Sequence, residues 1–96
     1  MSEGIVWAFI FLSEGSDPKK HQTQLEHCGN TLLVYGVNTL EEGCEVAKEI
    51  VENKNCTLIE LCGGFKREGA ARVRKAVGSK ALVGYIDYFE ADLLNM

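Results

Sequence analysis

"DPKKHQTQLEHCGN", Asp17 to Asn30, lies between two apolar runs, and its reading decides the fold class. Asp17 suits a helix N-cap, and Pro18 suits the first helical position, where its missing N–H costs nothing. A helix from Pro18 to about His27, stopped by Gly29-Asn30, is the expectation. The runs on either side, "IVWAFIFL" (Ile5 to Leu12) and "TLLVYGV" (Thr31 to Val37), are continuously apolar, as strands covered on both faces are.

Downstream the alternation continues. Thr39 and Glu42 make a capping box, and Leu40, Cys44, Ala47, Ile50 and Val51 fall on one helical face, giving a second helix that Lys54-Asn55 closes. Cys56 to Leu61 reads as a third strand. From Phe65 the spacing of Ala70, Val73 and Val77 predicts a third helix ended by Gly78, and "ALVGYID" (Ala81 to Asp87) a fourth strand. The resulting βαβαβαβ order implies a four-stranded parallel sheet with three main helices, in the flavodoxin-like order 2-1-3-4 or, alternatively, 1-2-3-4.

Ninety-six residues, 46% of them hydrophobic and 25% charged, suit one α/β domain over 1–96. The formal charge of -4 argues against a nucleic-acid binder, which needs a basic excess to displace counterions. Ile5 to Leu12 is too short to cross a bilayer and lacks the flanks of a signal peptide, so no membrane partner and a cytoplasmic location are expected. The four cysteines, Cys28, Cys44, Cys56 and Cys62, include no CxxC pair, and His21 and His27 lie far from any paired thiols. Reduced cysteines and no metal site are the expectation. No cofactor is indicated.

In the 2-1-3-4 order only the first helix covers one sheet face, and its stripe of Leu25 and Cys28 is thin. The apolar strands then leave surface for the tail "YFEADLLNM" (Tyr88 to Met96) or for a second subunit, and a homodimer is expected.

Ligands of parallel α/β sheets bind beyond the carboxyl ends of the strands, where strand order reverses. Two loops flank that crevice: Ser13 to Asp17, with Ser16, and Cys62 to Phe65. Helix N-termini follow both, and favour negative charge. Gly63 and Gly64 let backbone approach a ligand, and Lys66 and Arg67 add positive charge. A small anionic metabolite is therefore the expected ligand. The plain alternative is that the glycines make a tight strand-to-helix turn. Neither GxGxxG nor GxxxxGK[ST] is present, and Cys62 and Arg67 are one residue too close for a Cys-x5-Arg loop.

Three residues are candidates for chemistry. Cys62 precedes a helix N-terminus and two cations, which favours a thiolate nucleophile or redox thiol, against the ordinary reading as a small core residue. Glu60 is a carboxylate in a strand built for burial, suited to acid/base work if desolvated, or to structural pairing if partnered. His21 lies one turn from the Asp17 cap and suits a general base, or a packing histidine. Cys28, Cys44 and Cys56 fit the core, and His27 a complement to the helix dipole. The second helix carries five glutamates against Lys48, and the third carries Lys66, Arg67, Arg72, Arg74 and Lys75 against Glu68. Two solvated faces that attract modestly are the simpler account of that contrast.

"FIFLSEGSDPKKH", "VYGVNTLEEGCEVAKEIVE" and "IELCGGFKREGAARVRKAVG" together resemble a family of small bacterial α/β proteins known as a domain of unknown function. The resemblance spans Ile5 to about Ile86 and rests most on Asp17-Pro18 with His21, and on Glu60-Leu61-Cys62-Gly63-Gly64-Phe65. It implies that Asp17, His21, Glu60, Cys62, Gly63 and Gly64 belong together, and it brings no activity with it. In that family ELCGGF usually continues with glycine, where this chain has Lys66. The family's ends after the fourth strand also differ from "YFEADLLNM".

Overall fold

The computed structural model describes residues 4–88. Seven elements follow in order: β1 (Val6–Leu12), β2 (Gln22–His27), β3 (Asn30–Val37), α1 (Leu40–Asn53), β4 (Leu58–Leu61), α2 (Lys66–Val77) and β5 (Leu82–Tyr85). Short 3-10 turns at Gly63–Phe65 and Gly78–Lys80 flank α2. The sheet has five strands in the order β2-β3-β1-β4-β5. β1 pairs in parallel with β3 and β4, β4 with β5, and β2 pairs antiparallel with β3. The expected four-stranded parallel sheet with three helices, in order 2-1-3-4 or 1-2-3-4, is thus corrected to a mixed five-stranded sheet with two helices.

The correction originates in the segment quoted first. Asp17 does begin a helical turn, its carbonyl accepting from the N–H groups of Lys20 (2.9 Å) and His21 (2.7 Å) and its Oδ1 from Lys19 (2.9 Å). That turn is not continued, because the residues after it offer a helix almost no apolar face: only Leu25 is large and hydrophobic between His21 and His27. The chain instead satisfies the outer edge of β3 as strand β2. Cys28 (φ 53°) and Gly29 (φ 83°) make the two-residue link to β3, both in the left-handed region that a type I′ hairpin turn requires. Cys28 is accordingly exposed in a turn, not placed in the core.

Both helices lie on one face. The crossovers from β3 to β4 and from β4 to β5 run the same way across the sheet, and right-handed connections put both helices on the same side. The β1-to-β3 connection holds β2 and brings no helix to the other side. Strand alternation then sorts the sheet: Ala8, Ile10, Leu33, Tyr35, Ile59 and Leu61 point to the helices and are at most 5% exposed.

The helices are fixed by local chemistry. Thr39 caps α1 as expected, its Oγ1 accepting from Glu42 N–H (3.1 Å) while Glu42 Oε1 accepts from Asn38 N–H (2.7 Å). Val46, Ala47 and Ile50 face the core, with Leu40, Cys44 and Val51 packed at its margin. Phe65, 4% exposed, locks α2 against α1. Its ring lies where a Cβ on Gly43 would come within 2.8 Å of it, so α1 needs glycine there. The opposite charges of the helices produce one exposed pair, Arg72 to Glu41 at 3.6 Å, whose solvent screening leaves it worth little.

Candidate functional site

The carboxyl ends of β1 and β4 meet through Cys62. Its backbone N–H donates to Ile10 O (3.1 Å), and its Sγ accepts from Leu12 N–H (3.2 Å). The half-buried sulfur therefore serves as a backbone acceptor at the margin of the core. Cys62 O accepts from Phe65 N–H (3.1 Å), closing the turn that carries Gly63 and Gly64. Gly63 faces the Tyr88 ring, which a Cβ there would meet at 3.1 Å. Gly64 is exposed, with ordinary contact distances around it.

Lys66 is the unusual residue of this edge. Its φ of 60° and ψ of 176° belong to a region essentially reserved for glycine. Its N–H donates to Gly63 O, and no side chain caps the start of α2. The side chains of Lys66 and Arg67 are exposed there. Phe65 is taken up by the core and offers no surface to a ligand.

The other candidate residues are dispersed. Ser13 N–H donates to Val37 O (2.9 Å), Ser16 N–H to Ser13 O (3.0 Å) and Gly15 N–H to Asn38 Oδ1 (2.8 Å), so this loop is satisfied internally. Ser16 and Asp17 line a groove of about 460 Å³ on the helix side, with Glu42 and Glu45 opposite, a poor setting for an anion. His21 lies on the other side of the sheet, in a hollow of about 240 Å³ with Phe11, Lys20 and Val34. Its Nδ1 accepts from Asp17 N–H (2.8 Å), which puts the ring proton on Nε2.

Glu60 lines a second hollow of about 240 Å³ on that same helix-free side, with Phe9, Gly84, Tyr85 and Ile86. Gly84 leaves this hollow open, since nothing lies within 4 Å of where its Cβ would be. Strands β2 and β4 are three spacings apart, roughly 14 Å at ~4.8 Å each, so His21 and Glu60 are not one acid/base pair. The ridge of Phe9 and Phe11 on β1 separates them. The structure therefore joins Asp17 to His21 and distributes the rest of the expected site over separate surfaces. Among the described residues no cluster of three His, Cys, Asp or Glu side chains could hold a metal ion.

The remaining thiols are set by burial. Cys56 is 1% exposed, and burial pushes its pKa up, against a weaker lowering by its bond to Leu58 O (3.4 Å). Burial also raises the Cys44 thiol; Arg72 opposes this, and Glu41 and Glu45 add to it.

The largest feature of the molecule was only hinted at by the apolar strands. On the helix-free face the pairings place Leu25, Leu32, Trp7, Leu58 and Leu82 side by side, one from each of the five strands. Leu25 is 65% and Leu82 74% exposed. Ile5 and Ile86, also exposed, share this face by alternation. Glu60 is the only charged residue at its positions on β1, β3, β4 and β5. Among the described residues no side chain bonds its carboxylate. No described helix is long and apolar enough to cross a membrane.

No curated protein and no solved structure matches the chain. A family model does, over residues 5–96, and the chain belongs to that family of unknown function, DUF6506.

Proposed function

We propose that this protein is a cytoplasmic homodimeric binding module whose helix-free sheet face is the contact between two copies. The apolar row Leu25-Leu32-Trp7-Leu58-Leu82 carries the reading, because an exposed face of this kind marks an interface. Size agrees. The 29 strand residues, each spanning ~4.8 Å by ~3.3 Å, give a footprint of roughly 460 Å², to which exposed Ile5 and Ile86 add. Side-chain corrugation brings this toward the ~800 Å² of accessible surface that a standard interface takes from each partner. Residues 89–96 of the tail, the other expected cover for this face, lie outside the described residues. Light scattering on a sizing column should give a dimer at micromolar concentration, for the whole chain and for a variant ending at Tyr88. A monomer for the whole chain refutes the reading, and a dimer lost only on truncation assigns the contact to the tail.

A second reading, a small anionic metabolite at Cys62 to Arg67, is supported by the uncapped start of α2 and the exposed Lys66 and Arg67 beside it. Thermal-shift screening with phosphates and carboxylates tests it, since a ligand at 100 times its Kd adds about 2.7 kcal/mol. No shift with any anion, or a shift that survives Lys66→Ala with Arg67→Ala, sinks it. The redox reading of Cys62 requires that a thiol reagent attack it at least as fast as exposed Cys28.

A further inference from the structure

We infer that the two copies pack with their two-fold axis along β1, so that the Glu60 hollow of each protomer receives Lys20 and His21 of the partner subunit. This rests on the proposed dimer and specifies its geometry. Face-to-face sheets related by a two-fold have the axis in the plane between them. Aligned sheets cross at about 30°, which leaves two orientations: near the strand direction or near its perpendicular.

Charge separates the two. With the axis across the strands at the level of Phe9, every strand meets itself, and Glu60 faces Glu60 of the partner subunit. Two carboxylates would then be desolvated together inside an apolar contact, with no cation of this face near them. With the axis along β1, the two sides of the sheet exchange. The β4–β5 side, holding Glu60 with Phe9, Gly84 and Ile86, meets the β2–β3 side, holding Lys20 and His21 with Phe11 and Val34.

The two hollows are chemically complementary. Each is about 240 Å³ and each is bounded by a phenylalanine of β1. One presents a carboxylate that no described side chain bonds. The other presents an ammonium and an imidazole Nε2–H, since Nδ1 is held by Asp17 N–H. A neutral histidine can thus donate to the carboxylate, and the lysine supplies the countercharge that a covered Glu60 requires. Gly84, opposite Glu60 on β5, leaves room for the incoming side chains.

The test is the dimer dissociation constant, measured by sedimentation equilibrium for wild type, Glu60→Gln, Lys20→Glu and the swap Lys20→Glu with Glu60→Lys. Two symmetry-related contacts are lost at once in Glu60→Gln, so the dimer should weaken at least about tenfold. Lys20→Glu should weaken it too, and the swap should recover most of the loss. Tighter or unchanged association in Glu60→Gln overturns the inference while leaving the dimer intact, since removing facing like charges would strengthen it. All variants remaining monomeric, wild type included, refutes the dimer itself. Cross-linking gives a second measure that does not depend on affinity. Thr23→Cys with Gly84→Cys, in a Cys28→Asn background, should join two protomers through a short bis-maleimide, whereas Thr23→Cys alone should not. Cross-linking by Thr23→Cys alone means that β2 faces β2 and that the axis runs across the strands.

Discussion

Replacing Lys66 by glycine should stabilise this protein, although it removes a side chain and adds freedom to the unfolded chain. Lys66 holds φ 60° and ψ 176° at the junction of the 3-10 turn and α2. A side chain in this glycine region costs about 1–3 kcal/mol of backbone strain, arising at the Cβ. Glycine removes the clash and gives back about 0.5–1 kcal/mol through the greater entropy of the unfolded chain. The net is a gain of about 1 kcal/mol, or a rise in Tm of roughly 4–8 °C for a domain of this size. The exposed lysine side chain makes no hydrogen bond or ion pair among the described residues that would offset this. Thermal unfolding followed by circular dichroism reads the effect, with Lys66→Ala as control. Alanine keeps the Cβ and should bring no gain. If glycine and alanine shift the Tm equally, or if glycine lowers it, the strain argument is refuted.

Gly43→Ala should destabilise by about 1–3 kcal/mol in urea unfolding, because its methyl would come within 2.8 Å of the Phe65 ring in a packed core. Phe65→Leu in the same chain should recover part of that loss, and equal stability of Gly43→Ala and wild type would show that the ring moves freely. Burial raises the Cys56 thiol pKa, so the folded protein holds that proton more tightly than the unfolded chain does. Its contribution to stability is complete below the unfolded value of 9.0 and is lost as pH rises from there through the folded pKa. Stability measured between neutral pH and pH values above 9 should therefore fall less steeply in Cys56→Ala than in wild type.

Much of the helix-side architecture was legible because its signals are local. Thr39 with Glu42 fixes the start of α1, and the apolar spacing of both helices needs no tertiary information. β2 was not legible for the converse reason. Asp17-Pro18 gives a true helix-start signal and makes one real turn, but whether the next residues continue it depends on what lies beside them. Here the free edge of β3 decides, and Cys28-Gly29 is the hairpin turn that Gly29-Asn30 disguised as a helix stop. The displaced strand also explains the dispersed site. With β2 in place of a helix, His21 keeps its contact with Asp17 N–H (2.8 Å) but sits beside Phe11 on the helix-free side, three strand spacings from Glu60. The charge of Lys66 is plain in the sequence, while its left-handed φ is set by the turn that the folded chain makes there. The apolar face itself was half visible: "IVWAFIFL" announced a strand apolar on both sides, but which side lacked a helix followed only from the path of the chain.

Leu82→Glu tests the central claim most directly, because Leu82 is 74% exposed in the protomer and sits at the end of the five-strand row. Covering each such leucine should contribute about 1–2 kcal/mol, twice over in a symmetric pair, and the carboxylate would have to be desolvated instead. Sedimentation equilibrium should show a dimer for wild type and a Kd at least about 100-fold higher for Leu82→Glu, a difference of about 2.7 kcal/mol. The circular dichroism spectrum of the variant should be unchanged, as an exposed side chain has no part in the core. A wild-type monomer, or a variant that dimerises as tightly as wild type, would contradict the account.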